Sequence, residues 1–241
     1  WAALSLPVQA ASLALERVVS GEAGIVVDTS PVPAPGHEGK VFTIDNGDGS
    51  VALLDRATGT VEEIIPAMTG GPEGASIRGF AVEAAHDFAT SGHVYVSVLR
   101  EPGTEGAPRE NIVARYTLDP GTLDLVPDAA AERIITHRYP ANAGGHAGGA
   151  LAVDADGLLY LTTGDGKNAF RTGISDADLI DVANGAGALF RIDPSGDDFA
   201  GDPDNNYAVP TDNPDFGAGA YPGVAARGLR NPFKMTRDPV T

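Results

Sequence analysis

Two short patterns recur along the chain, and their pairing restricts the fold more than any single strand does. The first reads apolar strand, aspartate, turn, glycine: Val51-Ala-Leu-Leu-Asp55-Arg-Ala-Thr-Gly59, Val113-Ala-Arg-Tyr-Thr-Leu-Asp119-Pro-Gly121 and Ala188-Leu-Phe-Arg-Ile-Asp193-Pro-Ser-Gly196. The second is a strand that starts directly after a glycine: Gly39-Lys-Val-Phe-Thr, Gly92-His-Val-Tyr-Val-Ser and Gly157-Leu-Leu-Tyr-Leu-Thr. The pair returns at intervals of roughly 50 to 65 residues, the size of a propeller blade with its loops. Radially repeated antiparallel sheets are therefore expected, with a β-sandwich as the runner-up.

The remaining strand signals agree. Lys40 to Ile44, Ser50 to Leu54, Val61 to Ile65, Gly79 to Val82, His93 to Leu99, Asn111 to Leu118 and Arg133 to Thr136 are short β-prone runs separated by glycine, proline and aspartate. Asp176 to Val182 reads as a helical turn at most, so the class is all-β. Phe233 to Thr241 reads as the start of another blade strand, which brings the expectation to about four blades in a chain that is incomplete at both ends. Residues 1–11 resemble the tail of a signal peptide, with Val8-Gln9-Ala10 as a cleavage site, and residues 12–241 form the partial propeller. Periplasmic or secreted localisation is expected, and an ordinary first strand is the alternative reading of the N-terminus.

Composition narrows the partners. The formal charge of −17 over 241 residues repels phosphate backbones, so nucleic acid is set aside. No run approaches the length of about 18 apolar residues that a membrane span needs. The absence of cysteine removes disulfides, thiolate nucleophiles and cysteine-ligated metals.

The chemistry-bearing stretch is Tyr139 to Asp165. Gly144, Gly145, Gly148 and Gly149 surround His146, so the backbone can bend sharply and a ligand can approach closely. Ala150 to Val153 and Leu158 to Thr162 flank Asp154-Ala155-Asp156-Gly157, a hairpin with a glycine-ended turn. His146 reads as a general base on a reachable loop, or as a loop histidine bonded to backbone. In Ala226 to Phe233, Gly228 and Pro232 bracket Arg230 and Asn231. That pair suits a polyanionic cofactor or an oxyanion, or else ties down neighbouring carbonyls. Asp193 to Asp215 is rich enough in carboxylates to attract Ca²⁺, but its spacing is not that of an EF-hand, and a solvated loop is the main reading. His37, His86, His93 and His137 lack paired ligand spacing and are assigned no metal.

Several ordered blocks together resemble the soluble quinoprotein glucose/sorbosone dehydrogenase family. They are Asp87-Phe88-Ala89-Thr90-Ser91-Gly92 before Val94-Tyr95-Val96, then Asn142 with His146, Gly148, Gly149 and Leu151. Asp156-Gly157 with Leu159-Tyr160 and Gly164-Asp165 follow, and then Asp212-Asn213-Pro214 and Gly228-Leu229-Arg230-Asn231-Pro232. The resemblance implies a six-bladed β-propeller that binds pyrroloquinoline quinone (PQQ) with Ca²⁺. It implies oxidation of aldose sugars to lactones, with electrons passed to an external acceptor. His146 matches the family's proton-accepting histidine, Arg230 the arginine near the reactive quinone oxygens, and Asn231 the asparagine beside the cofactor. Gly145 stands where the best-known sugar oxidisers carry an aspartate, and Glu73 to Ile77 departs from the family's glycine-leucine run. The family's further cofactor lysine and arginines would lie beyond Thr241, and no metal ligand is assigned. A non-catalytic propeller that binds a protein or glycan is the alternative.

Overall fold

The computed structural model describes residues 31–68, 74–104, 107–140, 143–167, 175–177 and 181–237. The signal-peptide reading of residues 1–11, Asn142, Glu73 and the middle of the Asp176 to Val182 segment lie outside the described residues.

Among the described residues, twelve strands form three sheets of four, each a meander whose neighbours in sequence are neighbours in the sheet. The first sheet contains β1 (Val32–Pro33), β2 (Lys40–Ile44), β3 (Val51–Asp55) and β4 (Val61–Ile65). The second contains β5 (Ser76–Ala84), β6 (His93–Glu101), β7 (Glu110–Thr117) and β8 (Glu132–Arg138). The third contains β9 (Gly148–Val153), β10 (Leu159–Thr163), β11 (Ala188–Ile192) and β12 (Val224–Arg227). The two repeated patterns fall on the second and third strands of every sheet, so the repeat in sequence is a repeat of blades. One helical turn, α1 (Phe88–Ser91), closes on Gly92 at φ 66° before β6 begins. A Cβ at Gly92 would stand 1.9 Å from the Leu118 carbonyl oxygen, so glycine is required there by conformation and by contact.

The hairpin turns follow from their aspartates. Asp55 Oδ1 accepts from Ala57 N at 2.8 Å, Asp119 Oδ1 from Gly121 N at 2.7 Å, Asp154 Oδ1 from Asp156 N at 3.0 Å, and Asp193 Oδ1 from Ser195 N at 2.8 Å. An aspartate that caps its own turn offers the chain a local stop to the strand.

Packing between sheets buries two large clusters. Phe42, Ile44, Val51, Val82, Val94, Val96, Val98 and Ile112 fill the space between the first and second sheets. Val113, Ile135, Leu151, Leu161, Phe190 and Ile192 fill the space between the second and third. Glycines on the first strands allow the close approach: a Cβ at Gly79 would meet Asp45 O at 2.3 Å, and one at Gly149 would meet the Phe80 ring at 2.2 Å. Deleting a buried aromatic such as Phe42 or Phe190 would cost roughly 3–5 kcal/mol.

Sequence reading anticipates about four blades, and the described residues form three four-stranded sheets. Phe233 to Arg237 carries no strand, because a strand needs a hydrogen-bonded neighbour and none flanks it among the described residues. It runs instead alongside β5 and β9, where Phe233, Lys234 and Met235 share a small cavity with Glu83, Ala150 and Leu151. Of the Asp176 to Val182 segment, Asp176 and Ala177 are helical.

Candidate functional site

Four loops converge at one end of the third sheet. Residues 144–147 lead into β9, 164–167 leave β10, 185–187 lead into β11, and 228–231 leave β12. Because antiparallel strands alternate direction, these four ends lie together, and backbone hydrogen bonds stitch them into one layer. Gly164 N donates to Ala147 O at 3.0 Å, Gly166 N to His146 O at 3.2 Å and Gly187 N to Gly164 O at 2.7 Å. Leu229 N donates to Gly187 O at 2.9 Å, and Asp165 N donates to Arg230 O at 2.8 Å. The layer has no room for side chains at its centre: a Cβ at Gly164 would lie 1.7 Å from His146 O. That is the physical reason for so many glycines around one histidine.

His146 itself has φ 44°, a left-handed conformation that a non-glycine residue adopts only where its surroundings hold it. Its Nδ1 lies 2.7 Å from Asp165 Oδ1, and both side chains are nearly buried, at 13% and 11% exposure. The same oxygen accepts from Lys167 N at 3.0 Å, which fixes the carboxylate. With Nδ1 donating to the carboxylate, Nε2 is left as the ring's acceptor.

Tyr139 supports the pair from beneath. Its hydroxyl donates to the Ala147 carbonyl and accepts from Gly164 N at 3.1 Å, and burial drives its pKa well above the ordinary phenol range. Asn111 Nδ2 adds a second bond to the Ala147 carbonyl at 3.3 Å. Next to Tyr139, His137 is fully buried with neither ring nitrogen hydrogen-bonded among the described residues. Its ring is packed edge-on against Tyr139 and Tyr221, and burial lowers its pKa to about 3.

His146 opens onto a cavity of about 480 Å³ that Asn231, Arg78, Arg109 and Lys234 also line. Asp165 opens on the other side, onto a cavity of about 270 Å³ shared with Arg230, Lys167 and Gly187. Of the three residues the sequence singles out, His146 and Asn231 therefore face one cavity and Arg230 faces its neighbour. The Arg230 main chain nonetheless serves the pair directly, through its carbonyl on Asp165 N.

Asp165, Tyr139, Arg78 and Arg109 are not singled out as site residues by sequence reasoning. Gly164-Asp165 directly after a β-strand is the available signal for Asp165. It reaches His146 from a different loop. Nothing local marks Arg78 or Arg109.

No group of three or more histidine, cysteine, aspartate or glutamate side chains is placed to hold a metal among the described residues. The carboxylates of Asp193 to Asp215 are engaged elsewhere. Asp204 binds Arg133 at 2.7 Å and also Arg138, Asp212 binds Arg191 at 2.7 Å, and Asp198 accepts from Val209 N at 2.8 Å. The arginines hold the Asp204 and Asp212 carboxyls below the usual carboxylate range.

Three meandering sheets packed face to face, with a glycine-walled polar site at one end, define a partial β-propeller. The family profile for glucose/sorbosone dehydrogenase matches residues 37–241, and the chain belongs to that family. Solved structures agree in fold. A glucose dehydrogenase superposes with a TM-score of 0.59 at 24% identity, over 84% of this chain and 55% of that one. The soluble aldose sugar dehydrogenase of Escherichia coli in its apo form superposes with a TM-score of 0.60 at 21% identity, over 86% and 52%. The HIPL2 protein of Arabidopsis thaliana is 30% identical over 156 residues, which is 58% of this chain and 21% of the plant protein. The chain thus spans about half the length of these solved structures and about a fifth of that relative. No described helix is long and apolar enough to cross a membrane.

Proposed function

We propose that the protein is an exported sugar oxidoreductase that uses PQQ and removes the elements of hydrogen from the anomeric carbon of an aldose. The observation that carries this reading is the His146–Asp165 pair at 2.7 Å, set beside a cavity inside a glycine-walled layer. Family membership supports the class of reaction, since two of the solved relatives are glucose dehydrogenases.

The residues present fit a flat polycarboxylate. Gly144, Gly145 and Gly148 leave the cavity wall without side chains, and Arg109, Lys234 and Asn231 offer donors around it. When bound, PQQ would supply the acceptor for the hydride that leaves C1. His146 Nε2 takes the proton of the C1 hydroxyl as the C1–O bond becomes a carbonyl, which converts the cyclic aldose to its lactone. Asp165 holds the ring in the tautomer that can accept that proton and stabilises the imidazolium that results. Asn231 orients groups in the same cavity, and Arg230 contributes positive charge from the adjoining one. No Ca²⁺ ligand is assigned to the described residues, and no step of this scheme passes through the ion.

The test is dye-coupled oxidation of aldoses by the whole protein, with and without added PQQ and Ca²⁺, beside His146→Ala. Activity that depends on PQQ and collapses in the variant is the expected outcome. A protein that neither binds PQQ by absorbance nor oxidises any aldose is a binding propeller instead, the reading in which the His146–Asp165 pair has no chemical task.

A further inference from the structure

Arg78 belongs to no pattern in the sequence. It lies on β5 opposite Leu99 on β6, where the strand approaches the His146 loop. Its neighbour Ile77 packs against the core between the first two sheets, so strand alternation sends Arg78 to the other face, which it shares with Phe80. Its side chain is exposed and lines the cavity of His146. Among the described residues it has no ion-pair partner.

The charge of that cavity is the reverse of the charge of the chain. In a protein of formal charge −17, its wall carries Arg78 and Arg109 against one carboxylate, Glu101. Glu101 is already neutralised by Arg109, Nε to Oε2 at 2.7 Å. Asp165 faces the neighbouring cavity and is itself engaged by His146. Positive potential confined to a cleft in an acidic protein concentrates anions there, and a guanidinium fork pairs with a carboxylate through two parallel hydrogen bonds. The hydroxyls of a neutral sugar accept from such a fork, but only an anion gains from its charge as well.

We propose that the substrate is an acidic sugar, an aldose bearing a carboxylate at a distance from its anomeric carbon, and that Arg78 contacts that carboxylate. The proposal rests on the sugar-oxidoreductase reading and adds the substrate class to it. His146 works on the anomeric end while Arg78 holds the acidic end, so one residue reads specificity and the other performs proton transfer. A carboxylate in this cavity has two possible sources, the substrate and the cofactor, and they are separable.

The experiment compares the whole wild-type protein with Arg78→Met and Arg78→Lys in three measurements. Calorimetric titration of the protein with glucuronate and with glucose reads binding without turnover. PQQ titration followed by absorbance reads the cofactor. Where turnover is present, the ratio of kcat/KM for glucuronate to that for glucose reads specificity.

In wild type, glucuronate is expected to bind more tightly than glucose. Arg78→Met should reduce that preference at least tenfold, as loss of a charge-assisted contact does, with Arg78→Lys restoring part of it and PQQ affinity moving less than threefold. Equal binding of the two sugars by wild type would overturn the proposal. So would an equal loss on both sugars in Arg78→Met, or a loss confined to PQQ affinity, which would make Arg78 a cofactor contact. A wild type that binds glucuronate through Arg78 yet oxidises nothing would retain the anion site and sink the oxidoreductase reading alone.

Discussion

Aspartate followed by glycine serves both ends of the sheets, with different results. At the end that holds Asp55, Asp119, Asp154 and Asp193, the carboxylate accepts from backbone N–H groups two residues on and does nothing further for the site. At the other end Asp165 makes the same bond, to Lys167 N at 3.0 Å, and also accepts from His146. A structural turn becomes part of a candidate active site by the arrival of one histidine from a loop 19 residues earlier. The difference lies in the neighbours, since the local chain geometry is shared.

Breaking the shared turn bond and breaking the histidine bond should therefore give opposite patterns. Asp165→Asn keeps an oxygen for Lys167 N but favours the wrong ring tautomer. In the full-length protein with PQQ, kcat should fall by about 10²-fold or more, with the loss of orientation in serine hydrolases as the upper guide near 10⁴, while the melting temperature changes little. Steady-state kinetics beside a thermal melt would show it, and loss of stability with activity retained would remove Asp165 from the mechanism.

Gly164→Ala should have the largest effect on folding at the site end. The added methyl collides with His146 O, and a cost of about 3 kcal/mol or more is expected, as for other changes that strain packed backbone. At Gly36 (φ 80°) an added methyl meets nothing within 4 Å, so Gly36→Ala should cost only the conformational strain, about 1 kcal/mol. Urea midpoints of the two variants compare a packing collision at ordinary backbone conformation with conformation alone.

Each end also buries a titratable group, and the two oppose one another. His137, at the site end, has its pKa lowered from 6.5 to about 3 by burial. The unfolded chain binds more protons there, so this contribution is full above pH 6.5 and is lost as pH falls toward 3. Glu83, on β5 near the turn end, is raised from 4.5 to about 7 by burial, partly offset by Arg237. Here the folded state binds more protons, so the contribution is present below pH 4.5 and is lost as pH rises through about 7. Relative to wild type, Glu83→Gln should gain stability between pH 4.5 and 7, and His137→Phe should gain it as pH falls below 6.5, each by on the order of a few kcal/mol across its window. Denaturant midpoints at several pH values would reveal either slope, and parallel curves would mean that the two groups titrate as they do in water.

The smallest effect belongs to the turn end. Asp55→Ala removes one turn cap and should cost about 1 kcal/mol with activity unaffected, readable as a shift in the urea midpoint.

Much of the fold is legible in the chain because its determinants are local. Strand alternation, a glycine at positive φ and an aspartate capping its own turn act within a few residues, so the strands from Lys40–Ile44 to Ala188–Ile192 and the hairpin at Asp154 to Gly157 can be read directly. The blade repeat adds the architecture, because each unit is a meander that must cover its faces with its neighbours. The segment at Phe233 is less legible, since strand propensity cannot reveal whether a partner strand stands beside it.

His146 is marked by its glycines, and those glycines are the trace that the crowding of four loops leaves in the chain. What local chemistry could not reveal was distance across the sheet ends. The Asp165 partner of His146, the separation of Arg230 from Asn231 into neighbouring cavities, and the placement of Arg78 on the cavity of His146 all depend on how blades pack. Contacts of that kind are set by the burial of Phe42, Leu161, Phe190 and their neighbours between sheets, a property of the assembled layers that no short stretch of chain contains.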